Sequence, residues 1–480
     1  MVPSARRQIC SNANPNNKRL KKQDQTKEDQ EQAVDTLLPH LPDLIVDKIF
    51  RLIPTKHAIR SAIVSKQWAS VWSLGVPFLD FNDEGDSDDR RKLLFVDFVE
   101  SCLRHYEKNK LLESDSFRLR MRYDCELIDS TRINKWFSFV VSRCVKELDI
   151  SIQRDWQYYG LPHTILNAQY LTRLNLEHVA IRVSADLISL PLLKTMTLNV
   201  VHWSMNLDRS LWKGCPSIEH LSLDSCSFAS LAYWGQIVVK NSSLKFLQVM
   251  YCMCLSIQVE AENLESFILT SEFPGLASID LLGECVKLKY ISVYAQHSNT
   301  RFGMHGKCRD NLKATIYISN LVVFNYTGYV LSNDVISVKA QKPFIARLKL
   351  DWDDEQVFEP IFLPPRTHFL HNFDCCNLVG LDIQHDAIVE ALTFPENFRK
   401  TFSPPLLKVK NLTVSLVSIP YPLTEARYSA LTDSLRWMAP KAWIDIDLQH
   451  QMHGFRSTYQ PLYDEPASPW NMNDYSCYFL

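Results

Sequence analysis

The residues with chemistry of their own are scattered, and each local grouping can be weighed on its spacing. His305 lies three positions before Cys308, an imidazole beside a thiol. Thiol catalysis draws its base from elsewhere in a fold, so this adjacency reads as an ordinary surface loop. Asp351, Asp353, Asp354 and Glu355 gather acids around Trp352, but the run lacks the glycine and spaced ligands of a calcium loop and reads as a solvated turn. Among the 13 cysteines the nearest pairs are Cys252 with Cys254 and Cys375 with Cys376, and no C-x-x-C is present. Zinc wants two close ligand pairs, and adjacent residues on a strand point to opposite faces. The thiols are therefore expected to be reduced and buried as small apolar side chains. No G-x-S-x-G, P-loop, H-E-x-x-H or EF-hand pattern occurs. No catalytic, cofactor-binding or metal-binding residue is assigned, and the chain reads as non-catalytic.

Composition narrows the classes further. The chain has 480 residues, 46% of them hydrophobic and 22% charged, with a formal net charge of −2. That describes a globular protein of more than one domain. Fifty-two basic residues stand against 54 acidic ones, so no global field favours nucleic acid. No run approaches the roughly 18 apolar residues of a membrane-spanning helix, and the N-terminal residues are polar and basic, so neither membrane insertion nor export is expected. Only 12 glycines are present, against roughly 34 at average usage, which disfavours phosphate-cradling loops.

Four zones follow along the chain. Residues 1–34 are polar and basic, too poor in large apolar side chains to offset the entropy of ordering, and are expected to be disordered. Within them Arg6 and Arg7, then Lys18, Arg19, Lys21 and Lys22, resemble a bipartite nuclear-import signal. A nuclear or cytoplasmic location follows as the expectation. Residues 35–83 carry dense helical periodicity. Pro42 suits a first helical turn, with Leu44, Ile45, Ile49, Leu52 and Ile53 behind it as a 3.6-period stripe that Pro54 ends. Thr55 is expected to cap a second helix bearing Ala58, Ile59, Ala62 and Ile63, and Ser65 a third bearing Trp68, Val71 and Trp72. Such short helices cannot enclose a large core, so their surplus apolar surface asks for a partner. Residues 84–113 read as a solvated acidic linker and a connecting helix.

The string LPDLIVDKIFRLIPTKHAIRSAIVSKQWASVWSLGVPFLDFND, Leu41 to Asp83, resembles the F-box of the plant F-box/leucine-rich-repeat family. Gln67 and Ala69 depart from it where basic residues are usual, and Ile45-Val46 replaces the commoner leucines. The resemblance implies docking on a Skp-type adaptor and, through it, on a cullin-RING ubiquitin ligase. Carried over position by position, the docking motif comprises Leu41, Pro42, Ile45, Ile49, Pro54, Ile63, Val64, Ser65, Lys66, Trp68 and Trp72. Some of these pack the helices together and others face the adaptor.

Residues 114–425 repeat an apolar triplet. Val145/Leu148/Ile150 is followed by Leu171/Leu174/Leu176, Leu193/Met196/Leu198, Ile218/Leu221/Leu223, Leu244/Leu247/Val249, Leu264/Phe267/Leu269 and Leu288/Ile291/Val293, at intervals of 26, 22, 25, 26, 20 and 24 residues. This is the period of leucine-rich repeats. Cys226 and Cys252 occupy the place where that consensus turns the chain with Asn or Cys. Beyond residue 300 the units blur, with candidates at Leu321/Phe324/Tyr326, Ile345/Leu348/Leu350, Leu378/Leu381/Ile383 and Val409/Leu412/Val414. Each unit alternates as a short strand, and stacked in parallel the strands would line the concave side of a curved α/β solenoid. Asn175, Thr197, Ser222, Gln248, Ile268 and Ser292 stand at outward positions and form the expected target-binding face. Residues 426–480 are expected to supply a C-terminal cap and tail.

The expected fold is thus a small three-helix F-box followed by a leucine-rich-repeat solenoid. The resemblance implies a substrate-recognition subunit of an SCF-type (Skp-cullin-F-box) ubiquitin ligase, which would act by holding an unidentified target protein near the conjugating machinery. A non-ligase F-box scaffold or sequestering module is the alternative, and a repeat-fold enzyme with a dispersed site is a more distant one.

Overall fold

A computed structural model of the chain describes residues 41–74, 78–83, 88–108, 115–153, 158–182, 187–203, 209–228, 235–252, 254–271, 278–281, 285–295, 313–329, 335–351, 363–416, 419, 423–447 and 456–459. They fall into two compact units, one ending at Val145 and the other running from Lys146 onward together with Tyr123–Glu126.

Among the described residues, the first unit begins with three short helices, α1 (Asp43–Leu52), α2 (Thr55–Val64) and α3 (Lys66–Leu74). Pro42 and Pro54 hold the N-cap positions of α1 and α2 with extended ψ angles, since a proline ring fixes φ and has no N–H to lose there. Thr55 is not the cap expected of it. It begins α2 as a buried residue, and its hydroxyl accepts the Asp80 N–H at 2.8 Å, tying α2 to the strand that follows. Ser65 does serve α3, its Oγ accepting the Trp68 N–H at 3.5 Å. The core of the three helices is Val46, Phe50, Ala58, Ala62, Trp68 and Val71. Phe50 sits edge-on to Trp68 and Trp72, with centroids 5.4 and 5.8 Å apart, an arrangement the ring quadrupoles favour.

Strand β1 (Phe78–Asn82), helix α4 (Asp89–Lys108), strand β2 (Ser116–Arg122) and helix α5 (Ser130–Ser142) complete this unit. β1 and β2 pair in parallel and bury Leu79, Phe81, Phe117 and Leu119. Helix α4 packs back on both parts: Tyr106 meets Trp72 and Phe98 meets Phe81. The acids around the 83–88 segment do more than solvate it. Asp83 accepts the Arg122 N–H at 2.6 Å and Asp88 the Arg90 N–H at 3.0 Å. Asp129 caps α5 by accepting the Thr131 N–H. Arg132 of α5 reaches Glu100 of α4 at 2.8 Å.

In the second unit, parallel strands lie side by side in chain order: Glu147–Gln153, Arg173–Glu177, Thr195–Asn199, His220–Asp224, Phe246–Met250, Ser266–Ser271, Tyr290–Ala295, Val323–Tyr329, Ile345–Asp351, Leu378–Ile383, Asn411–Ser415 and Trp443–Asp447. Arg456–Tyr459 then pairs antiparallel with Trp443–Asp447. Alternation sets the faces: Leu174, Met196, Leu221, Leu247, Phe267 and Ile291 align in one buried row, and Leu176, Leu198, Leu223, Val249, Leu269 and Val293 in the next. Cys215, Cys226, Cys252, Cys254 and Cys285 are buried among them. Cys226 donates weakly to the Leu198 and Asp224 carbonyls, which gives the expected turn position a polar anchor.

Two features lie outside the expected pattern. The return segments form strands of their own, a ladder of Tyr159–Gly160, Val179–Ile181, His202–Trp203 and Ser227–Phe228, and another of Gly235–Lys240, Cys254–Glu260, Ser278–Leu281, Lys313–Ile318 and Val335–Ala340. Runs such as Ile237-Val238-Val239 alternate with β-branched side chains and so favour strand over helix. Four successive main strands are also each followed at once by a residue with φ near +50°, namely His178, Val200, Ser225 and Tyr251. Each donates its N–H to a carbonyl at the end of the neighbouring strand, as Val200 does to Asp224 at 2.9 Å and Tyr251 to Thr270 at 2.8 Å. The left-handed turn that leads the chain off the sheet is thus repeated without glycine.

The triplets at 345–350 and 378–383 are displaced by two residues. Ala346 and Leu348 pair with Phe324 and Tyr326, and Val379 and Leu381 pair with Leu412 and Val414, so Leu350 and Ile383 form an additional inward position. A two-residue shift keeps Leu348, Leu350, Leu381 and Ile383 on the buried face, whereas Ile345 and Leu378 stand on the other face and are half-buried.

Candidate protein-docking surfaces

The structure sorts the F-box residues by burial. Trp68 and Ser65 are buried, while Leu41, Ile49 and Trp72 pack partly against the core. Their side chains hold the helices together. Pro42, Pro54 and Lys66 are exposed, and Ile45 is 40% and Ile63 80% exposed. The Val64 side chain lies outside the described residues. Helix α1 has two apolar faces. The stripe read from sequence mixes them, because Val46 and Phe50 carry the core whereas Leu44 and Leu52 are 77% and 84% exposed. Leu44, Ile45 and Leu52 fall within about a 100° arc of α1 at 3.6 residues per turn. Leu44 and Leu52 are docking candidates missed by position-by-position reading. The signal was present in the sequence as apolar residues on both sides of α1, more than one short helix can bury.

Gln67 is engaged locally. Its Nε2 donates to the Leu41 carbonyl, and to Asp43 Oδ1 at 2.9 Å. The side chain that departs from the basic pattern thus ties α3 to the start of α1.

In the second unit the six outward residues form one continuous row, because Asn175, Thr197, Ser222, Gln248, Ile268 and Ser292 are partners across consecutive strands. All six are half-buried, and the row extends through Asn325, whose Nδ2 donates to Ser292 Oγ at 3.0 Å, to Arg347.

A charged row borders this face just ahead of the strands. Glu219 meets Lys194 at 3.7 Å and Lys245 at 2.5 Å. The Lys245 hydrogen bond holds the Glu219 carboxyl below its usual range, and the same contact raises Lys245. Glu265 and Lys289 continue the alternation.

Among the described residues no group of three His, Cys, Asp or Glu side chains is placed to hold a metal, and no helix is long and apolar enough to cross a membrane. Arg6, Arg7, Lys18, Arg19, Lys21 and Lys22 lie outside the described residues, as do His305, Cys308 and Asp353 to Glu355. Cys375 is exposed and Cys376 buried. A hydrogen bond from Cys376 draws the Cys375 thiol down to about 7, whereas burial raises Cys376.

Comparison with known proteins finds similarity in both parts of the chain. Residues 38–75 match the family model for the F-box domain, and residues 133–297 match one described as "FBD-associated F-box protein At5g56370, LRR repeats". The chain is 25% identical over 373 residues to FBD-associated F-box protein At4g13985 of Arabidopsis thaliana, covering 74% of this chain and 65% of that protein. It is 26% identical to the putative FBD-associated F-box protein At5g22720 of the same plant, over 56% of this chain and 52% of that protein. With the putative F-box protein At1g49610, also of Arabidopsis thaliana, it shares 31% identity over 44% of this chain and 48% of that protein. The matched segment therefore spans less than two thirds of each of these relatives. With an F-box match over its three short helices and a leucine-rich-repeat match over its parallel strands, this chain is similar to the plant F-box/leucine-rich-repeat proteins.

Proposed function

We propose that this chain is the substrate-recognition subunit of an SCF-type ubiquitin ligase, with the F-box docking a Skp-type adaptor and the repeat face binding a target protein. The observation that carries the reading is the exposed apolar surface of the F-box helices. Leu44, Leu52 and Ile63 stand more than three-quarters exposed beside a core that is already complete without them. Exposed aliphatic side chains on helices this short are costly in water and gain about 1.5–3 kcal/mol each when a partner covers them.

The parallel strands, on this reading, wind as a curved solenoid whose outward row from Asn175 to Ser292 faces the target, and residues 426–480 close its far end. The chain contributes position and no reacting group: a bound target is held at high effective concentration near the conjugating enzyme. The N-terminal basic clusters direct it to the nucleus, and replacing Lys18, Arg19, Lys21 and Lys22 by alanine in a fluorescent fusion tests that part.

The decisive experiment is a pull-down of the full chain with a purified Skp-type adaptor, wild type against Leu52→Ala/Ile63→Ala. Both side chains are exposed, so folding stability should change by less than about 0.5 kcal/mol, while adaptor affinity should fall at least tenfold. Unchanged affinity would remove the F-box from the docking role. Adaptor binding without cullin co-purification would favour the scaffold reading instead.

A further inference from the structure

The alternating charge row does not close on itself. It ends at Lys289, whose neighbour Glu265 also faces Lys245 and whose next neighbour in the row is Val322. Here, where strands Tyr290–Ala295, Val323–Tyr329 and Ile345–Asp351 begin, the chain forms a cleft of about 500 Å³. Two residues ahead of the row, successive units place Lys287, Asn320 and Lys342 at equivalent positions on its rim. Lys342 donates to Asn320 Oδ1 at 3.2 Å, and Asn320 in turn donates to the Val286 carbonyl at 2.9 Å. That contact holds Lys342 in place without neutralising it. Among the described residues, Lys287, Lys289 and Lys342 have no carboxylate at ion-pair distance, and Glu265 is the one acid lining the cleft. The floor between the cations is apolar, with Val286 and Val322 46% and 42% exposed.

We propose that this cleft takes an extended acidic peptide segment carrying one aliphatic or aromatic side chain. The excess of cations selects carboxylates, and the exposed valines supply the seat for the apolar group. Geometry favours an extended chain. Lys287 and Lys342 lie two strands apart, about 10 Å at 4.8 Å per strand, which is the reach of three extended residues at about 3.3 Å each. Carboxylates flanking a central apolar residue therefore meet both lysines. The identification of the segment's owner as the ligase target rests on the function proposed above, whereas the chemistry of the cleft does not.

The test uses the full chain and fluorescein-labelled peptides of sequence GEELEEG, GEESEEG and GKKLKKG, with binding read by fluorescence anisotropy. GEELEEG should bind at least tenfold tighter than GKKLKKG, weaken severalfold when its leucine becomes serine, and weaken as salt rises. The double change Lys287→Glu/Lys342→Glu, on exposed side chains, should reverse the preference between acidic and basic peptides. Equal binding of the two peptides, or a variant with unaltered preference, overturns the proposal. Adaptor pull-down on the same protein keeps the two ideas separate. Loss of the adaptor with peptide selectivity intact defeats the ligase reading alone, and the reverse outcome defeats the cleft alone.

Discussion

Replacing Gly214 with alanine adds one methyl group at the end of helix Arg209–Gly214, and two effects of opposite sign then compete. Helix propensity favours alanine over glycine by about 1 kcal/mol. Packing opposes it, because the new Cβ would stand 2.0 Å from the Ile188 carbonyl oxygen and 2.9 Å from its carbon. A carbon and an oxygen settle at about 3.3 Å, so the two segments must part by more than 1 Å. They are joined by the Leu190 N–H, which donates to the Gly214 carbonyl at 2.8 Å, and both Ile188 and Leu190 are buried. Overpacking costs about 1–3 kcal/mol, and losing a buried backbone hydrogen bond costs about as much again. The expected outcome is a net destabilisation of about 1–5 kcal/mol. Hydrogen exchange followed by mass spectrometry is the suitable assay, since a chain of two units need not unfold in one step. Peptides containing Leu190 should lose protection at least fivefold in Gly214→Ala, while those from helices α1 to α3 stay unchanged. Equal or greater protection around Leu190 would refute the reasoning and return the position to simple helix propensity.

Three further outcomes are expected. Val200→Gly should raise the thermal midpoint: a β-branched residue held at φ +50° carries strain of about 1–2 kcal/mol, more than the roughly 0.5–1 kcal/mol of chain entropy that glycine costs, and a lowered midpoint would contradict this. The Arg132 hydrogen bond holds the Glu100 carboxyl below its ordinary 4.5, so the pair's stabilisation is present above that pH and is lost as pH falls through the lowered value. Arg132→Met should therefore lower the urea midpoint at pH 7 and match wild type near pH 2, and an equal deficit at both would exclude the linkage. Cys375, drawn down to about 7, should alkylate with half-maximal rate near neutral pH while buried Cys376 stays unlabelled. A midpoint near that of a free thiol would show that the Cys376 hydrogen bond does not act on it.

The extent to which sequence foretold structure varies with how strictly local chemistry dictates it. The triplets from Val145 to Val293 were legible because each inward position is filled by a large apolar residue, and each falls on the buried rows. At residues 345–350 the inward position is held by Ala346, too small to stand out in a hydrophobic pattern, and the triplet slid to Leu350. Outward residues such as Ser222 and Gln248 followed from alternation alone, so their single row was legible even though nothing in their identities marks it. Leu44 and Leu52 were harder, because an apolar residue looks the same whether it faces a core or a partner, and only the observed burial of Val46 and Phe50 separates the two faces. The cleft was not legible at all. Lys287, Asn320 and Lys342 come from three units, the first two of them set apart by a lengthened interval, and their equivalence depends on strand pairing over the part of the chain where the apolar triplets blur.

The charge row from Lys194 through Glu219, Lys245 and Glu265 to Lys289 gives the stack a parity. Excising the unit that bears Glu219 would set Lys194 beside Lys245, and inserting a copy of it would set two glutamates together. Excising two adjacent units restores the order of signs. A lineage of such proteins can thus lengthen or shorten this stretch in pairs of repeats more readily than in single ones, with the sign of an exposed side chain keeping count.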